Sequence, residues 1–168
     1  MSASPAAEHE IPFLTRRRVR HAVGYIGLSM WRHAWAELKT IDAADRGLPL
    51  VRSALVDYHM ARRQWARVVT VARRLAREHP VVENAWIGWA YALRELQRIE
   101  EARRVLLGAE PHHRDSAVLH YNLACYESLL GDLPAARSRL DRACRIDAQF
   151  KDAAESDPDL AALRAHEA

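Results

Sequence analysis

His112 and His113 stand side by side, His120 follows seven residues on, and Cys125 and Cys144 lie in the same stretch. Imidazole and thiolate at that density are the groups that hold zinc, so metal binding is the first chemistry to weigh. The spacing argues against it: neighbouring histidines rarely aim at one ion, and no cysteine or carboxylate completes a set at ligand spacing. The cysteines form no redox motif either, which suits reduced thiols in a cytoplasmic protein. Cys125 is the one residue with chemical reactivity at a suggestive site, but a thiol nucleophile needs a base within reach and no histidine falls in a partner position. Glu100 and Glu101 could serve acid–base work, yet they open a helix, where negative charge favours the backbone dipole with no catalytic role. Phosphate loops, serine elbows and zinc-helix motifs do not occur. The expectation is a chain with no catalytic, metal or cofactor site, and not an enzyme.

The other candidate chemistry is electrostatic. Arg16, Arg17, Arg18 and Arg20 form the densest basic run, and Arg67, Arg73, Arg74 and Arg77 add to the same half. Residues 1–80 carry thirteen Arg and Lys39 against seven acids, whereas residues 81–168 carry ten Arg and Lys151 against fifteen, so the net charge of +3 hides a dipole along the chain. That dipole could steer an acidic partner or align copies. Contact with phosphate backbones is the weaker reading, because Trp31, Trp35 and Trp65 occupy or adjoin core positions and leave few platforms for stacking bases.

What positions these groups is a repeat of 34 residues. Trp31, Trp65, Ile99 and Leu133 lie one step apart, as do Ala34, Val68, Ala102 and Ala136. The same step links Leu38, Ala72, Leu106 and Leu140; Ile41, Leu75, Ala109 and Ala143; and Ala22, Val56, Ala90 and Ala124. Each period splits into two amphipathic halves, which predicts four helix pairs over residues 15–48, 49–82, 83–116 and 117–150. In the fourth, Ala117 to Leu130 forms the first helix, Gly131 the left-handed stop, Asp132 the N-cap with Pro134 just inside, and Leu133 to about Ile146 the second helix. The first period is weaker, with Gly24 and Gly27 inside its first helix. Asp157-Pro158-Asp159 reads as the start of a capping helix within residues 151–168, and residues 1–11 read as a disordered segment. No apolar run approaches the roughly 20 residues of a membrane span, and Met1 to Glu10 lack the hydrophobic stretch of a secretory signal.

In these motifs the chain resembles the tetratricopeptide repeat (TPR) proteins. The resemblance covers about residues 15–150 and rests on Trp86, Trp89, Ala90, Leu93, Ala102, Leu106 and Ala109 in the third period. Leu55, Trp65 and Pro80 carry it in the second, and Leu123-Ala124, Gly131-Asp132 and Ala136 in the fourth. The proline that usually closes a unit is Arg46, Arg114 and Ala148 in the other three. The resemblance implies an all-α, right-handed superhelical solenoid of antiparallel helix pairs whose first helices line a concave, peptide-binding groove. Carried over position by position, the groove residues are Val23, Ile26, Ser53, Asp57, Met60, Asn84, Ile87, Tyr91, Arg94, Tyr121, Asn122, Cys125 and Ser128, with Val19, Leu50 and Gly88 beside them.

One subgroup of the family grips acidic carboxyl-terminal tails of heat-shock chaperones with a Lys, Asn and Arg clamp. The matching positions here hold Val19, Arg20, Ser53, Ala54, Asn84 and Gly88, so that clamp is missing. The expected function is protein–protein interaction: an adaptor or assembly factor holding a peptide or protein segment, in a bacterial cytoplasm on the Arg-over-Lys bias of 23 to 2. The alternatives are a chaperone for secreted or aggregation-prone proteins and, behind it, a nucleic-acid regulator; a homodimer through the first repeat is a further reading.

Overall fold

The computed structural model describes residues 11–167, and among these it contains helices and turns but no strand. The expectation of disorder before residue 11 lies outside the described residues. Ile11 itself is held, its carbonyl accepting from Arg16 Nη2 at 3.0 Å.

Eight helices make four pairs: α1 (Phe13–Gly27) with α2 (Trp31–Lys39), α3 (Pro49–Ala61) with α4 (Trp65–Glu78), α5 (Glu83–Glu95) with α6 (Ile99–Ala109), and α7 (Ala117–Leu129) with α8 (Leu133–Ile146). The five 34-residue columns explain why the pairs stack. Four of them are buried at every position, from Ala34, Val68, Ala102 and Ala136 at 0% exposure to Leu140 at 8%. The fifth, Trp31, Trp65, Ile99 and Leu133, is half-buried and packs at the rim of the core. Alanine recurs in the buried columns because helix axes can approach closely only where side chains are small, and the leucines beside them fill the remaining space. First helices touch one another along the stack, α1 to α3, α3 to α5 and α5 to α7, so they line its inner face.

The turn inside each pair obeys the same period. Ser29, Arg63, Gln97 and Gly131 all have positive φ, between 52° and 83°. In each turn the amide of that residue donates to the carbonyl three back, and the next amide to the carbonyl five back, as in Ser29 N to Ile26 O and Met30 N to Tyr25 O. This is a Schellman closure built four times, though only Gly131 is the residue type that adopts it without strain. Arg63→Gly and Gln97→Gly, at exposed positions, should therefore each stabilise the fold by about 0.5 kcal/mol, and Gly131→Ala should cost about 1 kcal/mol. Urea unfolding of the three variants checks both signs.

Caps follow the sequence closely in the fourth pair. Asp132 accepts from the Ala135 amide at 3.1 Å and Ser116 from the Leu119 amide at 3.0 Å. The first pair is the irregular one: α2 is short, and a 3-10 turn (Ala43–Asp45) follows it. Thr15, buried at the start of α1, ties the two together by donating to Asp45. Gly24 and Gly27 sit in α1 with open space where a Cβ would stand.

The C-terminal segment departs from expectation. The helix expected from Asp157 is present as a 3-10 turn (Pro158–Leu160), capped by Asp157 accepting from the Asp159 amide at 2.9 Å, that runs into α10 (Ala161–Glu167), but a further helix, α9 (Gln149–Ser156), precedes it. Residues 151–163 lie one period after α7, so this segment takes the place of a fifth first helix. Proline cannot donate an amide hydrogen or tolerate the preceding turn in a helix interior, and Pro158 breaks that helix in two. Ala154, Leu160 and Leu163 complete the largest core cluster, which runs from α5 to the end of the chain.

Candidate peptide-binding groove

A cleft of about 940 Å³ opens between the inner faces of α3, α5 and α7 and the broken C-terminal helix. Nine of the residues expected in the groove line it: Asp57 and Met60 from α3, Asn84, Ile87, Tyr91 and Arg94 from α5, and Tyr121, Asn122 and Cys125 from α7. They meet because groove positions on one helix recur at steps of three or four residues and therefore share a face, with Asn122 beside Tyr121 on α7. Gly88 lies among them, and a Cβ there would stand 3.0 Å from Val56 Cγ1, so α3 and α5 approach as closely as glycine allows. Tyr91 rests edge-on against Trp65 at 5.8 Å and keeps 38% of its surface exposed. Asn122, which lines the cleft, donates an amide N–H to the Val118 carbonyl in its own helix at 2.8 Å, and its side-chain oxygen is not engaged in that bond.

Four expected residues lie elsewhere. Val23 is exposed on α1 and Ile26 packs against the first core cluster, both outside the cleft. Ser53, half-buried on α3, is also outside it. Ser128 is a correction: it is buried, with its hydroxyl unpartnered, because α7 is packed by α5, α6, α8 and the C-terminal segment together. Val19, too, is buried in the first cluster, and Leu50 packs against it.

The closing wall was not foreseen. Phe150 packs on Tyr121 with ring centroids 4.6 Å apart, and the Tyr121 hydroxyl donates to Asp157 Oδ2 at 2.7 Å. Arg94 donates through Nε to Asp159 Oδ2 at 2.8 Å and through Nη2 to Asp159 Oδ1, and its Nη1 reaches Glu95 at 2.8 Å. A signal for this wall existed, since Asp159 extends the column Asp57, Tyr91 and Cys125 by one more step of 34.

The thiol of Cys125, only 4% exposed, stands 3.7 Å from Asp157 Oδ2. Burial first, and then the Asp157 carboxylate, push its pKa far above the usual thiol value, which favours the protonated thiol. Its sulfur and the oxygens of Asp157 and Asp159 come within 4.8 Å of one another. A cation there would have to displace Arg94 and Tyr121 and deprotonate the thiol, so the donors do not fit a metal site. Two of the three histidines His112, His113 and His120 hold the fold. His113 Nε2 donates to the Pro80 carbonyl at 2.9 Å; His120, with no exposure, donates from Nε2 to Arg114 O and accepts at Nδ1 from Arg139. Burial holds His120 neutral in that tautomer, its pKa below the ordinary histidine value.

The two basic clusters of the N-terminal half lie off the cleft. Arg16, Arg17 and Arg20 are exposed on α1, and Arg67, Arg73, Arg74 and Arg77 on α4, where Arg77 lies 5.9 Å over the Trp89 ring. Trp35 is more open than its place beside the core columns suggested, 42% exposed and stacked on Tyr58 at 5.5 Å. No helix among the described residues is long and apolar enough to cross a membrane.

No family model and no curated protein matches this sequence. Solved structures do resemble it. The crystal structure of TTC0263, a thermophilic TPR protein of Thermus thermophilus, superposes with a TM-score of 0.68 at 17% identity, over 80% of this chain and 75% of that one. A structure of MamA AMB-1 gives 0.64 at 13% identity over 80% and 73%, and a second crystal form 0.55 at 14% over 81% and 100%. Likeness at such low identity speaks for architecture alone, and the architecture is plain: the chain folds as a solenoid of tetratricopeptide-type helix pairs.

Proposed function

We propose that this chain is a non-enzymatic, cytoplasmic adaptor or assembly module that holds a segment of a partner protein in the cleft between α3, α5, α7 and the C-terminal segment. The observation that carries this reading is the cleft itself, floored by Val56, Met60, Ile87 and Tyr91, with Asn84 and Asn122 offering amides. Apolar anchors with a few polar groups between them are what recognition of a peptide in a groove requires. Two free cysteines fit a reducing compartment.

The test is affinity capture with wild type and with Tyr91→Ala plus Asn122→Ala. Both side chains line the cleft and neither belongs to the fully buried core, whereas Tyr121 also holds the wall through Asp157 and would confuse the result. Partner binding should fall at least about tenfold with the melting temperature almost unchanged. Retention of every partner by the folded double variant would place binding elsewhere.

A further inference from the structure

The carboxylates that line the cleft divide into two sets. Asp157 and Asp159 are engaged, the first by the Tyr121 hydroxyl and the second by the Arg94 guanidinium. Asp57 and Glu83 are not. Asp57 makes no hydrogen bond or ion pair among the described residues, and Glu83 Oε1 is buried without a partner. Among the described residues Arg94 is the sole cation lining the cleft, and Asp159 and Glu95 already share it. The apolar cleft is thus left with the Asp57 carboxylate unpartnered and with Glu83 offset only by its place in the first turn of α5, an excess of negative charge that is complementary to a cation and hostile to an acidic tail.

We propose that the occupant is an apolar peptide segment of a partner protein carrying a Lys or Arg side chain that pairs with Asp57, with Glu83 adding to the negative field of the cleft. This rests on the cleft being the binding site and adds the charge of what it binds. Desolvation supports the assignment: burial raises the Asp57 pKa above the ordinary aspartate value, with no hydrogen bond to oppose it. A folded-state pKa raised in this way means that ionised Asp57 lowers stability as pH rises through the carboxylate range, and a ligand cation offsets that penalty. At neutral pH the isosteric Asp57→Asn should therefore raise the melting temperature while it weakens binding, an opposition that a purely structural role would not produce.

The decisive experiment selects binders from a random peptide library displayed on phage, against the full chain and against Asp57→Asn plus Glu83→Gln. Wild type should enrich one basic position flanked by apolar ones, and the winning peptide should lose about tenfold in affinity when that residue becomes Gln, by fluorescence anisotropy. In the double variant the basic preference should vanish and the apolar positions remain. A neutral or acidic consensus, or a basic one that survives the double variant, overturns the proposal. If instead the enriched peptides bind Tyr91→Ala plus Asn122→Ala as tightly as wild type, the cleft itself is not the site and both readings fall.

Discussion

Leu123→Asp is expected to melt the last helix pair and the C-terminal segment while α1 to α4 stay folded. Leu123 has no exposed surface and sits in the cluster that joins α5 and α6 to α7, α8 and the chain end, among Leu106, Leu119, Leu140 and Leu160. Truncation to Ala removes the buried methyl groups and leaves a cavity, which costs about 3 kcal/mol. Aspartate adds a carboxylate with no partner in apolar surroundings, a further several kcal/mol, and the sum approaches the whole of an ordinary domain's stability of about 5–15 kcal/mol. In a stack where each unit touches only its neighbours, that loss is felt locally. The cluster of Val19, Ala22, Ala34, Leu38 and Tyr58 shares no residue with the one disrupted. Hydrogen exchange should show fast amides from α7 to α10 and retained protection in α1 to α4, with Leu123→Ala intermediate. Equal loss of protection in α1 and α2 would mean that the stack unfolds as one unit and that the nearest-neighbour account is wrong.

The architecture was legible because the constraint that builds it is periodic. Ala34, Val68, Ala102 and Ala136 must all be small for the helices to approach, and a requirement imposed four times at one spacing leaves a pattern in a single sequence. The same logic located nine cleft residues, since a face of one helix is fixed by steps of three and four. It failed where the chain stops repeating. Pro158 divides the helix that the register would place over α7, and the resulting fold-back brings Phe150, Asp157 and Asp159 against Tyr121 and Arg94 across 29 to 65 residues of sequence. The register places Asp159 in the column of Asp57, Tyr91 and Cys125, but nothing local encodes which residues it and Phe150 meet. The four left-handed turns failed to register for a different reason: Ser29, Arg63 and Gln97 are residue types that seldom adopt positive φ, so only Gly131 announced its role. The burial of Ser128 was invisible because its place in the groove column was sound and what changed was how closely α7 is surrounded.

Arg94 is the side chain that ties the cleft's last wall to α5, and Arg94→Ala tests that tie. Arg94 is 26% exposed, with Asp159 at 12% and Glu95 at 20%, so its guanidinium neutralises two carboxylates that water reaches poorly. Its removal leaves both charges without a cation, at a cost of about 2 kcal/mol; the partial exposure keeps this below the figure for a fully buried pair. Arg94→Lys should recover only part of that, because a lysine cannot reproduce the two-pronged contact with Asp159. The apolar contacts of Leu160 and Leu163 persist in the variant, so the segment should loosen rather than detach. The expected signature is faster amide exchange across residues 149–160 with little change in α1 to α4. The pairing makes a second demand: Arg94→Ala combined with Asp159→Asn should cost less than Arg94→Ala alone, since the stranded carboxylate is gone. If the two costs simply add, Arg94 supports the wall through packing of its stem and not through its charge, and the division of the cleft's carboxylates into engaged and free sets loses its basis.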